Sequence, residues 1–210
     1  MNFGLIIIGD EILSGKREDK HLPKVIELLG ARGLSLAWAR YAGDDRGRIT
    51  ADLKDAFAGA AANGDVVFSC GGIGATPDDH TRQCAAAALG RPLALHPQAR
   101  DLIIERMQDT AREQGTVCDP DRADNVHRLN MGVFPEGAQI IPNPYNKIAG
   151  FSVCPGAAPG GVYFVPGFPV MAWPMIAWVL DTACAGLQRA QTQRELSVIV
   201  FGAMEASLTP

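Results

Sequence analysis

The sequence predicts an α/β fold built on a parallel sheet with helices on both faces. Three observations carry this. Short, unbroken apolar runs recur and are cut off by glycine, as expected of strands covered on both faces. Amphipathic helical stretches alternate with them. The first ninety residues repeat a strand-then-helix order, which requires right-handed crossovers between parallel strands.

The elements follow in order. Residues 3–8 are wholly apolar apart from Gly4 and stop at Gly9, giving a first strand. A helix follows over 22–32, where Val25, Ile26, Leu28 and Leu29 form a broad apolar face and Gly33 is the stop. Residues 34–41 read as a second strand. Residues 45–62 read as an alanine-rich helix with Ile49, Leu53 and Phe57 four apart, ended by Asn63-Gly64. Residues 65–70 make a third strand, broken by Gly71-Gly72-Ile73-Gly74, and 79–89 a helix ended by Gly90. The second half is less regular. Helices are expected over 96–114, 123–129 and 170–186, and short strands over 138–141 and 161–165. Trp38, Trp173 and Trp178 stand among apolar residues and are expected in the core. Residues 188–194 are polar and lack an apolar period, reading as a linker before a strand-like run at 196–201.

Composition excludes several functions. The 210 residues are 47% hydrophobic and 20% charged, an ordinary globular balance. With 19 Lys plus Arg against 23 Asp plus Glu, the net charge is −4 and no basic run occurs, which argues against nucleic-acid binding. The apolar stretch 162–180 carries Pro166, Pro169 and Pro174, so it reads as strand, turn and helix rather than a membrane span. Five scattered cysteines without a Cys-x-x-Cys pair give neither a zinc site nor a redox dithiol, and residues 3–8 lack the basic flank of a signal peptide. A cytoplasmic protein is expected.

Chemistry concentrates in the loops that follow strands. In residues 70–81, Gly71, Gly72 and Gly74 let the main chain turn tightly and bring N–H groups close to a ligand, and Thr76 and Thr81 add hydroxyl donors. A loop of this kind before a helix start favours an anion, most naturally phosphate. The same residues are equally compatible with a packing turn in which Asp78 or Asp79 caps the helix. Gly9-Asp10-Glu11 with Ser14 follows the first strand, and Gly43-Asp44-Asp45 the second. In an open parallel sheet these loops share the edge beyond the strand carboxyl ends. Acidic groups beside a phosphate call for a divalent cation, for which magnesium is the usual choice. His80, within the glycine loop, is placed to touch a ligand. His21, His96 and His127 read as surface or capping residues.

These loops, in this order, resemble the MoaB/Mog-type molybdopterin-binding domain, and more closely the amino-terminal domain of the CinA (competence/damage-inducible protein A) family. The resemblance rests on Ile6-Ile7-Ile8-Gly9-Asp10-Glu11-Ile12-Leu13-Ser14-Gly15, on Gly43-Asp44-Asp45, and on Gly71-Gly72-Ile73-Gly74 continuing to Asp79-His80-Thr81. It continues through Ala88-Leu89-Gly90-Arg91-Pro92-Leu93, Asn143-Pro144, Gly150-Phe151 and Val165-Pro166-Gly167-Phe168-Pro169.

The resemblance implies a three-layer α/β/α sandwich with a mostly parallel sheet over 1–187. Residues 188–210 would then begin a small C-terminal α+β appendage, without the deamidase domain of longer CinA proteins. It implies a site for a phosphorylated pterin (molybdopterin) or nucleotide with magnesium or another divalent metal, in a dimer or trimer. Mog-type members join molybdopterin to AMP from ATP; CinA-type domains are associated with cleaving ADP-ribose at its pyrophosphate. A non-catalytic ligand-sensing module is the third alternative. By motif position, Asp44 and Asp79 would hold metal and orient substrate. Gly71, Gly72, Gly74 and Thr81 would cradle phosphate, with Gly9, Asp10, Glu11, Ser14, Thr76, Asn143, Lys147, Pro166 and Gly167 completing the site. Two departures bear on substrate and turnover rather than on fold. Asn146-Lys147 stands where relatives carry Gly-Thr, so that Lys147 either meets phosphate or is solvated, and Val170-Met171 replaces a polar pair.

Overall fold

The strands in the middle of the sheet form because their residues are buried from both sides. In the computed structural model, which describes residues 1–119, 122–189 and 201–202, the first apolar run is β1 (Phe3–Ile8), followed by α1 (Asp10–Leu13), α2 (His21–Gly30) and β2 (Leu36–Ala42). Next come α3 (Arg46–Asn63), β3 (Val66–Cys70), α4 (Thr81–Leu89), β4 (Leu93–Leu95), α5 (Pro97–Glu113) and α6 (Ala123–Leu129). Then β5 (Val133–Pro135), β6 (Gln139–Ile141), β7 (Gly150–Val153), β8 (Gly161–Val165) and α7 (Pro169–Asp181) complete the order.

The main sheet has the order β2-β1-β3-β8-β7-β6. β2, β1, β3 and β8 run parallel, and β7 is antiparallel to both of its neighbours. β4 and β5 form a separate antiparallel pair. Side chains alternate across the sheet. Ile6, Ile8, Val67, Val162 and Phe164 pack with Ile49, Leu53 and Phe57 of α3 and Cys84 and Ala85 of α4. On the other face, Leu5, Ile7, Phe68 and Val165 pack with Val25 and Leu29 of α2 and Met175, Ile176 and Val179 of α7. These two cores make the three layers. A stack of Phe134, Phe151 and Phe164, with centroids 4.5 and 4.3 Å apart, fills the first of them.

Several elements differ from expectation. β4, β5 and β7 do not stand out in the sequence, and the loop after β1 begins with the single turn α1. The last helix stops at Asp181 rather than at 186; a 3-10 turn at Ala185–Leu187 follows. Trp178 is 41% exposed instead of buried, because α7 is apolar on more sides than the sheet can cover. The strand expected at 196–201 falls almost wholly outside the described residues. Among the described residues, no helix is long and apolar enough to cross a membrane.

Candidate functional site

Strand register assembles the site. Ile8 pairs with Ala42, Ile7 with Cys70, and Cys70 with Val165. The loops leaving β1, β2, β3 and β8 therefore emerge side by side at the carboxyl edge of the sheet. They enclose a cavity of about 410 Å3, lined by Gly9, Glu11, Asp44, Gly71, Gly72, Gly74, Thr76, Asp79, Pro166 and Gly167, with Ile73, Phe168 and Met171 as an apolar portion.

The glycine loop is held from behind by the start of α4. The buried Thr81 donates its hydroxyl to the Gly71 carbonyl at 3.1 Å and its N–H to the Gly72 carbonyl at 3.0 Å. In a planar trans peptide the N–H points opposite to the C=O. Tying these two carbonyls toward α4 therefore turns the Gly72 and Ile73 N–H groups the other way. Among the described residues, the N–H groups of Gly72, Ile73, Gly74 and Ala75 donate to no protein acceptor. All four residues line the cavity. Glycine is required at 72: its φ is +68°, and a Cβ there would lie 2.1 Å from Thr81 Oγ1.

The acidic residues are arranged as loop fasteners with an oxygen to spare. Asp44 Oδ2 accepts the Asp10 N–H at 3.0 Å, and Asp10 Oδ1 accepts the Asp44 N–H at 3.2 Å. Asp79 does not cap α4; its Oδ2 accepts from the Thr76 N–H (2.8 Å) and hydroxyl (2.6 Å) inside the loop. Asp45 does cap α3, accepting from the Arg48 N–H at 2.7 Å. Burial pushes the Asp44 carboxyl above its ordinary pKa; the Asp10 N–H opposes this, and the charges of Asp10, Asp78 and Glu11 add to it. Among the described residues, no three metal-ligating side chains come together. The second oxygens of Asp44 and Asp79 are nonetheless hard donors of the kind magnesium takes in pairs alongside ligand oxygens.

Other expected site residues sit differently. Asp10 and Ser14 line an open recess next to the cavity, shared with Glu11 and Asp44. Asn143 is buried and builds the neighbouring loop, donating to Asn146 Oδ1 (2.8 Å) and the Ile148 carbonyl (2.9 Å). Lys147, the next residue along from Asn146, reaches α5, where its Nζ meets Glu105 (2.5 Å) and Asp109 (2.6 Å). His80 Nδ1 lies 3.1 Å from Arg46 Nη2.

Arg17 and His21 are among the residues at the site that sequence reasoning missed. Arg17 lines the cavity with its guanidinium 5.8 Å from the Phe168 ring centroid. His21 is buried, not on the surface, and its Nε2 donates to the Gly167 carbonyl at 2.9 Å, fixing the loop after β8. The available signal was its position on the apolar face of α2, four before Val25.

Comparison with known proteins follows the same lines. A family model described as "probable molybdopterin binding domain" matches residues 4–185. A CinA-like protein of Anaeromyxobacter dehalogenans is 34% identical over 170 residues, 81% of this chain and 38% of the relative. A CinA-like protein of Mycobacterium marinum is 32% identical over 212 residues, 98% of this chain and 47% of the relative. The chain thus spans less than half the length of these curated relatives. Among solved structures, CinA from Thermoplasma acidophilum superposes with a TM-score of 0.70 at 23% identity, covering 86% of this chain and 98% of that one. The molybdopterin biosynthesis enzyme MoaB from Thermus thermophilus gives 0.51 at 16%, covering 89% and 93%. At these identities the structural likeness is one of fold.

Proposed function

The chain belongs to the family of probable molybdopterin-binding domains, close to CinA-like proteins, and on that premise we propose that its strand-edge cavity binds a phosphorylated pterin or nucleotide together with a divalent metal. One observation carries this reading: four successive residues, Gly72, Ile73, Gly74 and Ala75, line the cavity, and their main-chain N–H groups have no acceptor among the described residues. Successive free N–H groups on a turn form an anion-binding concavity, and a phosphate offers the acceptor oxygens to fill it. Ile73, Phe168 and Met171 supply apolar surface for a flat ring.

Asp44 and Asp79 would hold the metal through their second oxygens. Magnesium bound there supplies charge neutralisation at phosphorus. The chain's own part is placement: Thr81 aims the loop, and His21 fixes the Gly167 wall. Nucleotidyl transfer and hydrolysis at a pyrophosphate both need such placement and neither requires a covalent protein intermediate.

The second reading, metal-dependent cleavage of an ADP-ribose-like pyrophosphate, draws support from an adjoining cavity of about 360 Å3. It shares Ile8, Glu11, Arg17 and Gly167 with the first and lengthens the site toward a two-part ligand. All five cysteines are free thiols, consistent with the cytoplasm, and we place the chain there in a dimer or trimer.

A thermal-shift screen of molybdopterin, ATP and ADP-ribose, with and without magnesium, tests the reading, because a ligand that binds only the folded state raises its melting point. A magnesium-dependent rise with a phosphorylated pterin or nucleotide is expected. Turnover assays on the ligands that bind then separate adenylyl transfer, ADP-ribose hydrolysis and binding alone. No shift with any phosphorylated ligand would refute the assignment.

A further inference from the structure

A buried positive charge stands behind the glycine loop. Arg82, the second residue of α4, is 5% exposed. Its Nη2 donates to the Gly74 carbonyl at 2.6 Å and its Nη1 to the Asn130 carbonyl. Asn130 opens the 3-10 turn that carries Met131 into the cavity wall. Arg82 forms no ion pair among the described residues. Burial lowers its pKa and Asp79 acts in the opposite sense, yet a guanidinium stays protonated at any ordinary pH. Among the described residues its hydrogen bonds go to carbonyl dipoles, and Asp79, without pairing to it directly, offsets part of its charge.

Its contact at Gly74 extends the pattern set by Thr81. With the Gly74 carbonyl pulled toward α4, the planar peptide sends the Ala75 N–H to the opposite side. Three carbonyls of the loop, at Gly71, Gly72 and Gly74, are thus held from one side by two consecutive residues, Thr81 and Arg82.

We propose that Arg82 is a positioning residue for the ligand's phosphoryl group: it aims the Ala75 N–H at the cavity and sets a fixed positive charge behind the loop that selects the dianionic form of a phosphomonoester. This rests on the phosphate reading above. Opposing charge comes from Glu11, Asp44, Asp78 and Asp79 on the cavity wall. His80, beside Arg46 and next in sequence to Thr81, and His127, 3.4 Å from Asn130, are imidazoles on the elements around the arginine's partners. A sulfate reference, dianionic throughout, removes their contribution to any pH profile.

The test is amide NMR titration of the full chain with methyl phosphate and with sulfate, at about pH 5.5 and about pH 7.5. A phosphomonoester's second pKa is about 6, so if only the dianion binds, affinity relative to sulfate rises about four-fold across this range. The wild type should show that rise, with the Gly72, Ile73 and Ala75 amides shifting. In Arg82→Gln, affinity at the higher pH should fall about ten-fold and the rise should shrink to less than about two-fold. Arg82→Lys keeps a point charge but lacks the fork for two carbonyls, so it should keep the rise and lose most of the Ala75 response.

A four-fold rise preserved in Arg82→Gln would reduce the arginine to scaffolding and overturn the proposal. Should the glutamine variant not fold, an undiminished Ala75 response in Arg82→Lys overturns it equally. Silence of all loop amides in the wild type would instead sink the phosphate reading on which it stands.

Discussion

Asp10 and Asp44 each accept the other's main-chain N–H, at 3.0 and 3.2 Å, and so lock two acidic loops edge to edge. The price is like charge held close: burial, and then Asp10, Asp78 and Glu11, keep the Asp44 pKa raised. A carboxyl whose folded pKa exceeds its unfolded one costs stability as pH rises through that interval. Asp44→Asn keeps an acceptor oxygen and removes the charge. Its melting point above the interval should equal or exceed that of the wild type, while magnesium-dependent ligand stabilisation drops at least about ten-fold in apparent affinity. Differential scanning fluorimetry over a pH series, with and without ligand and magnesium, checks both halves.

Gly72 and Gly64 share a left-handed backbone, with φ of +68° and +70°, but differ in surroundings. A Cβ at 72 would meet Thr81 Oγ1 at 2.1 Å, whereas one at 64 meets nothing within 4 Å. Gly64→Ala should therefore cost about 1–2 kcal/mol, the left-handed penalty alone. Gly72→Ala should cost more and also abolish phosphate binding, because Thr81 must release the loop. Denaturant melts alongside ligand titrations distinguish the two.

His21 is predicted to matter through the Gly167 carbonyl. Among the described residues its buried Nδ1 has no partner, so the hydrogen bond through Nε2 fixes both the ring's orientation and the loop. His21→Leu leaves the Gly167 carbonyl without that donor and should destabilise by about 1–3 kcal/mol. It should also weaken ligand binding, since Gly167 and Phe168 line the cavity. Chemical denaturation gives the first number and calorimetric titration the second.

Lys147 should be dispensable for affinity. Its ammonium is held by Glu105 and Asp109, and the hydrogen bonds to both raise its pKa. Lys147→Ala is expected to change phosphorylated-ligand affinity by less than about two-fold. A ten-fold loss in a titration would return this lysine to the phosphate.

The first half of the fold is legible because each of β1 and β3 is buried on both faces and so reads as an unbroken apolar run. β7 is just as buried, but Gly150 and Ser152 interrupt its four residues, and β4 and β5 are only three residues long. Their pairing is decided by distant partners. The site divides in the same way. Glycines and carboxylates after strands announce themselves, since local backbone geometry demands them. His21 and Arg82 do not: each acts on a carbonyl, Gly167 or Gly74, that only the folded chain brings within reach. Lys147 looked available for phosphate because nothing in its own loop reveals the two acids on α5.

The most direct measurement is calorimetric titration of the protein with a phosphorylated pterin and with the same pterin lacking its phosphate, in the presence of magnesium. If the loop N–H groups hold the phosphate, removing it should weaken binding by at least about a hundred-fold, the size expected when several charge-assisted hydrogen bonds are lost together. Equal affinity for the two compounds would mean that the glycine loop is a packing turn and not a phosphate cradle.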